Sequence, residues 1–277
     1  MNESISQQTK SLLLKHGFHL KKSLGQNLLI DPGSLNRIIG SAGISEKDII
    51  LEIGTGTGIL TKELAKKAKR VISCEIDKRI FEIANEYLAG IDNVELRNED
   101  FLKTDIPAAI HRLPLPIKVI ANVPYYITTP IIEKLLKHKE LLSEVILTVQ
   151  REFAERMAAK PGTKDYGSFS VFVNYYTEPN ILFNIPRSAF LPQPDVGSAV
   201  ISLAVRKSPA VAVKDEKVFF EIVRAAFNQR RKTLKKALSA KFRPEIIENA
   251  LSKSGIDGKR RGETLSIEEF AKISDRF

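Results

Sequence analysis

The sequence predicts an α/β fold with a mainly parallel central sheet and helices on both faces, followed by a small all-α domain. Apolar runs bounded by turn residues alternate with amphipathic stretches over the first part of the chain, which is the pattern of strands joined by helices. After Lys207-Ser208-Pro209 only helical periodicity remains. We therefore place a domain boundary near Ser208, which gives domains at 1–207 and 208–277.

The predicted elements follow this pattern along the chain. Strands are predicted at 48–53, 70–75, 94–98, 117–122 and 144–149, with later strand-like runs at 180–185 and 198–205. Helices are predicted at 59–68, 78–88, 129–137 and 150–159, and in the second domain at 216–227, 231–240, 244–251 and 266–273. Pro186, Pro192 and Pro194 should keep the segment between the two late strands as an extended loop.

The composition limits the class of protein and its partners. No apolar run reaches the roughly 18 residues of a membrane span, and the polar N-terminus is unlike a secretory signal. The single cysteine, Cys74, excludes an internal disulfide and favours a reducing cytoplasm. Of the net charge of +10, residues 201–277 contribute +8. This basic end predicts a polyanionic partner such as nucleic acid, although a solvated basic surface remains the alternative.

The strongest local motif is an apolar strand that runs into Gly54-Thr55-Gly56-Thr57-Gly58 and then opens a helix. Glycines in such a turn let a ligand approach the backbone closely. The spacing differs from the Gly-x-Gly-x-x-Gly of dinucleotide binders and suits S-adenosylmethionine, which carries no phosphate. Glu75 and Asp100 follow the next two predicted strands, where they can accept from ribose hydroxyls and from an adenine amino group. Asp77 is an alternative acceptor for the ribose.

The fourth predicted strand ends in Asn122-Val123-Pro124-Tyr125-Tyr126. The exocyclic nitrogen of adenine is a poor nucleophile because its lone pair is delocalised into the ring. The side-chain oxygen of Asn122 and the carbonyl of Pro124 can accept its N–H groups, so that the lone pair turns towards a methyl donor. Tyr125 offers a face on which the base can stack. The motif thus predicts catalysis by positioning and electrostatics.

These motifs, in this order, resemble those of the rRNA adenine dimethyltransferases, above all the small-subunit (16S) or kasugamycin-sensitivity type. The resemblance is carried by residues 25–29, 52–58, 75, 100–101, 122–126 and 190–198, and it runs from about Ser23 to the C-terminus. It implies a Rossmann-like methyltransferase that uses S-adenosylmethionine, and no metal, to dimethylate N6 of two adjacent adenosines in the 3′-terminal hairpin of small-subunit rRNA. We expect it to act on the immature small ribosomal subunit as a cytoplasmic monomer.

The resemblance also implies roles for individual residues. Cofactor contacts would come from Asn27, Leu29, Gly54, Glu75, Asp100 and Asn122. Asn122 would serve both the cofactor and the substrate. Tyr125 and Phe190 would sandwich the target base.

A basic cluster at the start of the predicted 231–240 helix comprises Arg230, Arg231, Lys232, Lys235 and Lys236. Residues four positions apart would share one helical face, where like charges repel, so a purely structural role is costly. We interpret the cluster as a contact surface for the RNA backbone, with a solvated surface as the alternative. The four histidines show no metal-ligand spacing with each other or with Cys74.

Three other functions remain open at this stage. One is a methyltransferase of the erythromycin-resistance type, which acts on large-subunit rRNA and shares the Asn-x-Pro-Tyr motif. Another is a non-catalytic RNA-binding assembly factor that keeps the fold. The third is a nicotinamide-linked oxidoreductase, which would have to bind a dinucleotide.

Overall fold

The computed structural model describes residues 4–20, 25–110 and 113–277, and these residues form two compact units. Each unit is built from two segments of the chain. The first unit comprises the residues up to Ala154 together with Asn180–Val205, and the second comprises Glu155–Pro179 and Arg206–Phe277. The expected boundary near Ser208 lies two residues after the start of the last segment. Residues 155–179, which we had assigned to the first domain, instead pack with the C-terminal helices. Ser23 and His111 lie outside the described residues.

The strands form one large sheet and one small one. In chain order they are β1 (Leu28–Leu29), β2 (Ile49–Ile53), β3 (Arg70–Glu75), β4 (Val94–Asn98), β5 (Ile117–Asn122), β6 (Leu142–Gln150), β7 (Thr177–Ile185), β8 (Phe190–Leu191) and β9 (Ser198–Val205). The large sheet has seven strands in the order β4-β3-β2-β5-β6-β9-β7. Strands β2 to β6 pair in parallel and β9 is antiparallel to β6. The prediction of a mainly parallel α/β sheet is therefore confirmed.

The small sheet corrects one prediction. The proline-rich segment after β7 is not an extended loop throughout, because β8 pairs antiparallel with β1, with Leu29 opposite Phe190. The Nε of Arg187 also donates to the carbonyl of Pro194 at 2.6 Å. The prolines end regular structure at Pro186 and Pro192, but they leave room for a two-residue strand between them.

The helices of the chain up to β7 are α1 (Ile5–Lys15), α2 (Pro32–Ser41), α3 (Ile59–Ala65), α4 (Lys78–Tyr87), α5 (Ile106–Ile110), α6 (Thr128–Lys137), α7 (Arg151–Ala158) and α8 (Ser168–Tyr176). Helix α2 begins at Pro32 because Asp31 caps it, accepting from the Ser34 N–H at 2.7 Å. Asp77 caps α4 in the same way, accepting from the Arg79 N–H at 3.0 Å. No described helix is long and apolar enough to cross a membrane.

Both faces of the sheet are covered. Every residue of β2 is buried, as expected for a central parallel strand. On one face Ile50, Val71 and Ile120 belong to a core cluster that includes residues of α2 and α3. The other four residues of β2 are apolar, whereas Glu52 carries an ionisable carboxyl group and is nevertheless fully buried.

The C-terminal part of the second unit consists of α9 (Glu216–Asn228), α10 (Leu234–Leu238), α11 (Pro244–Ser254) and α12 (Ile267–Ser274). The ring of Tyr175, on α8, stacks on Phe219 with centroids 5.0 Å apart, and Phe227 contacts Phe270 at 5.9 Å. These aromatic contacts explain why α8 belongs to this unit. Helices α9 to α12 occupy the region predicted as a small all-α domain, but the unit that contains them also includes residues 155–179.

The predicted helix at 231–240 is shorter than expected. Residues 229–232 form turns, and α10 begins only after Thr233, whose backbone is extended at φ −64° and ψ 155°. Arg231 and Lys232 therefore do not lie on a helical face with Lys235 and Lys236. The one basic helical face inferred from four-residue spacing is wrong for this reason.

Candidate active site

A pocket opens at the carboxyl ends of β2, β3, β4 and β5. Its lining includes Gly54 after β2, Glu75 at the end of β3, Asp100 after β4 and Asn122 at the end of β5. The parallel register brings these positions to one edge, since Ile53 lies opposite Cys74 and Glu75 opposite Asn98. Strand β2 lies between β3 and β5, so the chain order reverses here, and such a switch point is where open α/β sheets bind ligands.

The three glycine N–H groups of the loop are already paired within the protein. The Gly54 N–H donates to the Cys74 carbonyl at 2.9 Å, the Gly56 N–H to Glu75 Oε2 at 3.0 Å and the Gly58 N–H to the Thr55 carbonyl at 3.0 Å. Gly54 and Gly56 have φ of +82° and +56°, which glycine adopts without strain. A Cβ at Gly56 would also lie 2.8 Å from Leu28 Cδ2. The loop is thus built for close packing and not for cradling a diphosphate.

Of the carboxylates predicted to bind the cofactor, Asp77 caps a helix, whereas Glu75 and Asp100 line the pocket. Asp77 does not line the pocket among the described residues, because it caps α4 and accepts from Gln26 Nε2 at 3.3 Å. Glu75 does line it, and its two oxygens accept from the N–H groups of Gly56 and Asp77, each at 3.0 Å. Burial raises the pKa of Glu75 above its ordinary value. Asp100 lines the pocket and accepts from the Leu102 N–H at 2.9 Å.

A buried polar network lies behind the glycine loop. Glu52 Oε2 accepts from the hydroxyls of Thr61 and Ser73, each at 2.6 Å, and Ser73 is also 2.6 Å from the Thr55 hydroxyl. Glu52 Oε1 has no hydrogen-bond partner among the described residues. Burial raises the pKa of Glu52 to about 8, so its carboxyl is protonated and uncharged at neutral pH.

The segment before α2 closes one side of the pocket. Gln26 ties it to the α4 cap through Asp77, and Asn27 Nδ2 donates to the Gly25 carbonyl at 3.2 Å. The Asn27 carbonyl in turn accepts from Asn122 Nδ2 at 2.9 Å. Asn27 and Leu29, both predicted from the sequence, line the pocket.

Asn122 and Tyr125 are each held by a specific hydrogen bond. Because the amide nitrogen of Asn122 donates to the Asn27 carbonyl, its Oδ1 is the end of the amide left as an acceptor for a ligand. The hydroxyl of Tyr125 lies 2.6 Å from the hydroxyl of Ser198, which is 1% exposed. The Pro124 carbonyl accepts from the Ile127 N–H at 3.2 Å and from the Thr128 hydroxyl at 3.4 Å, and that hydroxyl also lies 3.1 Å from the Tyr125 carbonyl. All three predicted residues line the pocket.

Phe190 is the predicted site residue that the structure does not bring to the pocket. Its side chain is 1% exposed and belongs to the core cluster that contains Leu35 and Ile38. The pairing of β8 with β1 turns the ring inwards. In this conformation Phe190 offers no ring face to a base, so the expected sandwich with Tyr125 is not formed.

The predicted basic cluster lies in the second unit and is not uniform. Arg230 donates to the carbonyls of Lys164 and Tyr166 at 2.8 and 3.3 Å, and its Nε lies 3.6 Å from Glu263. Lys235 is paired with Glu248. Arg231, Lys232 and Lys236 are exposed. Arg230 and Lys235 therefore have partners within the protein, whereas Arg231, Lys232 and Lys236 present their charge to solvent.

The pocket chemistry fits S-adenosylmethionine. Glu75, Glu99 and Asp100 line it, and no lysine or arginine does so within the described part of the chain. An acidic pocket favours a cofactor that carries a sulfonium and an ammonium group, and it disfavours a diphosphate. Together with the pairing of the three glycine N–H groups inside the protein, this argues against a nicotinamide dinucleotide. No group of three or more His, Cys, Asp or Glu among the described residues could hold a metal ion.

The sequence did not predict the residues that hydrogen-bond to Tyr125, Asp77 and Glu52 and so fix their side chains. Ser198 and Gln26 stood in the quoted motifs, but nothing in the sequence showed that they contact Tyr125 and Asp77. Ser73 and Thr61, which bond to Glu52, had no motif at all. A polar residue within an apolar strand, such as Ser73 in β3, was the available signal.

Comparison with known proteins completes the description of the site. The family model described as ribosomal RNA adenine dimethylase matches residues 17–277. The ribosomal RNA small subunit methyltransferase A of Bacillus licheniformis is 49% identical over 100% of this chain and 98% of its own length. The same-named protein of Geobacillus thermodenitrificans is 49% identical over 97% and 94%.

Two solved structures share the fold over most of the chain. A dimethyladenosine transferase from Plasmodium falciparum has a TM-score of 0.78 at 30% identity, covering 89% of this chain and 95% of its own. The 23S rRNA methyltransferase ErmE has a TM-score of 0.70 at 28% identity, covering 90% and 99%.

Proposed function

Because the chain belongs to the ribosomal RNA adenine dimethylase family, we propose that it dimethylates N6 of two adjacent adenosines in the 3′-terminal hairpin of small-subunit rRNA. It is an S-adenosylmethionine-dependent rRNA adenine dimethyltransferase. The choice of the small subunit is supported by relatives of that name that match nearly the whole chain at 47–49% identity. We place the reaction on the immature small ribosomal subunit in the cytoplasm.

The observation that carries the chemistry is the placement of Asn122. Its amide nitrogen is engaged by the Asn27 carbonyl, so Oδ1 can accept one N–H of the adenine amino group. The Pro124 carbonyl can accept the other when the Thr128 hydroxyl donates only to the Tyr125 carbonyl, from which it lies 3.1 Å. With both N–H groups held, the nitrogen lone pair points out of the ring plane and towards the bound cofactor. S-adenosylmethionine supplies the methyl group from its sulfonium.

The remaining assignments follow from the lining of the pocket. Glu75 would accept from the ribose hydroxyls and Asp100 from the cofactor adenine, while Asn27 and Leu29 would contact the methionine end. Gly54 would lie against the cofactor because it lacks a side chain.

RNA backbone contacts are proposed for Arg231, Lys232, Lys235 and Lys236. Arg231, Lys232 and Lys236 are exposed, and lysine and arginine gain by releasing counterions from phosphates. Arg230 contributes mainly by holding the loop at Lys164 and Tyr166, so its share of RNA binding should be smaller. Such contacts position the RNA, whereas base choice is made at the pocket.

The function is tested by offering radiolabelled S-adenosylmethionine with immature small subunits or with naked large-subunit rRNA. Label is expected in the small-subunit RNA alone, and label only in the large-subunit RNA would identify the erythromycin-resistance type instead. Asn122→Ala should abolish transfer while RNA binding, measured by filter retention, changes little. Normal turnover in that variant would remove Asn122 from the mechanism.

A further inference from the structure

Tyr125 and Tyr126 are consecutive residues that the fold uses in different ways. Both lie on the short 3₁₀ helix Tyr125–Ile127 after β5, and both line the pocket. Successive residues of a 3₁₀ helix point about 120° apart, since three residues make a turn. Tyr125 turns inwards to the buried Ser198, whereas Tyr126 is 62% exposed.

Tyr126 is an unusual surface side chain. Among the exposed large apolar side chains of the described residues it is the only aromatic one, the others being Leu14, Ile76, Leu115, Val196 and Ile246. Within the described part of the chain its hydroxyl has no hydrogen-bond partner. An exposed aromatic ring at the rim of a binding pocket is a feature of contact surfaces.

The ring of Tyr126 is supported from one side. The backbone of Gly25 approaches it so closely that a Cβ on Gly25 would lie 3.3 Å from Tyr126 Cδ1 and 3.4 Å from Cε1. Gly25 also has φ +60°, which favours glycine. The ring is therefore partly held in place while much of its surface faces solvent, which reduces the entropy lost when a flat ligand stacks on it.

Tyr126 lies on a different side of the pocket from Glu75 and Asp100, the two carboxylates proposed to bind the cofactor. In the strand order β4-β3-β2-β5, Glu75 and Asp100 follow β3 and β4, whereas Tyr126 follows β5 on the other side of β2. The acidic lining repels phosphate groups, so the lining itself gives an RNA strand no anchor for its backbone charge. Stacking of a base on an aromatic ring does not depend on phosphate contacts.

We propose that Tyr126 stacks on the nucleobase next to the target adenine, so that this base rests at the rim while the target enters the pocket. The inference rests on the proposed function, because it requires a single-stranded RNA target with a neighbouring base. Stacking is sequence-tolerant, so the contact aligns the strand without selecting the neighbour. In a substrate with two adjacent adenosines, it holds one adenosine while the other is methylated.

The proposal is tested with Tyr126→Ala and Tyr126→Phe on small-subunit RNA. A stacking contact of about 1–3 kcal/mol corresponds to a rise in KM of about 5- to 150-fold for Tyr126→Ala, with kcat changed less. Tyr126→Phe keeps the ring and should retain the wild-type KM. Leu14→Ala truncates another exposed apolar side chain, on α1, and is the control that should leave KM unchanged.

The decisive comparison uses RNA with an abasic site on either side of the target. The loss caused by Tyr126→Ala should disappear on one of these two substrates and remain on the other. A loss that persists on both means that Tyr126 supports the fold, and no loss on intact RNA means that it makes no contact; either result overturns the inference. If the wild-type protein fails to methylate small-subunit RNA, the proposed function itself is wrong. That failure is seen without any variant, so it cannot be confused with a failure of the inference about Tyr126.

Discussion

Glu52 provides the sharpest physical prediction. Its carboxyl is fully buried in β2, accepts from Thr61 and Ser73 at one oxygen and has no partner among the described residues at the other. Burial raises its pKa from 4.5 to about 8. Glu52→Gln removes the ionisable group but keeps the shape and one acceptor oxygen for the two hydroxyls.

The size and sign of the effect follow from linkage between proton binding and folding. The folded protein holds the Glu52 proton more tightly than the unfolded chain, so this stabilisation is fully present below pH 4.5 and is lost as the pH rises through about 8. Each pH unit in that window weakens the folded state by about 1.4 kcal/mol. From this group alone, wild-type protein should therefore lose about 4 kcal/mol between pH 5 and pH 9.

The measurement is urea unfolding at a series of pH values for wild type and Glu52→Gln. Circular dichroism is the suitable signal because the chain has no tryptophan. Other titrating groups are common to both proteins, so they cancel in the difference between the two free energies of unfolding. We expect the two proteins to be similar at pH 5 and Glu52→Gln to be more stable by about 4 kcal/mol at pH 9.

A matched control separates the carboxyl from its hydrogen bonds. Thr61→Val removes one donor to Glu52 but leaves the ionisable group, so the pH-dependent loss of stability should persist in it. A difference between wild type and Glu52→Gln that stays constant from pH 5 to pH 9 would show that the carboxyl is as easily ionised in the folded protein as in the unfolded chain. That result would refute the claim that burial raises the pKa of Glu52.

Three further predictions concern the site and the RNA surface. Ser198→Ala should lower kcat about tenfold, because it removes the hydrogen bond that holds the Tyr125 ring. In a Tyr125→Phe background the same substitution should have no effect, and equal losses in both backgrounds would show that Ser198 acts elsewhere. Glu75→Gln should weaken S-adenosylmethionine binding about tenfold by calorimetry, because a charged acceptor is replaced by a neutral one; unchanged affinity would assign the ribose to another residue. Arg231→Ala should reduce the salt dependence of RNA binding by about one phosphate contact, whereas Arg230→Ala should mainly lower the melting temperature; the reverse pattern would contradict the division between them.

Much of the sheet and of the cofactor half of the site could be predicted, because both depend on local pattern. Strands β3, β4 and β5 have the predicted bounds. β3 and β5 are short, mainly apolar runs ended by polar residues, whereas β4 alternates apolar and charged residues. The glycine spacing identified the loop because its backbone needs positive φ whatever packs around it.

Elements governed by packing were harder to predict. Helix α8 has the sequence Ser-Phe-Ser-Val-Phe-Val-Asn-Tyr-Tyr, whose alternation favours a strand, but its aromatic side chains pack against α9 as a helix. Conversely, the stretch before Leu234 has helical spacing of its lysines and arginines but forms turns. Intrinsic preference is weak compared with tertiary contacts, and it was overridden in both places.

The sequence by itself determined the class of chemistry: a methyl donor without phosphate at Gly54–Gly58 and an amino-group acceptor at Asn122. These features are local, since each motif carries its own backbone geometry and its own donors or acceptors. Only the tertiary structure decided that Asp77 caps a helix while Glu75 faces the pocket, that Phe190 is buried, and that Ser198 holds Tyr125. The burial of Phe190 and the contact of Ser198 with Tyr125 depend on residues far apart in the chain. Ser198 and Tyr125 are 73 positions apart, and such distances in sequence leave no pattern to detect.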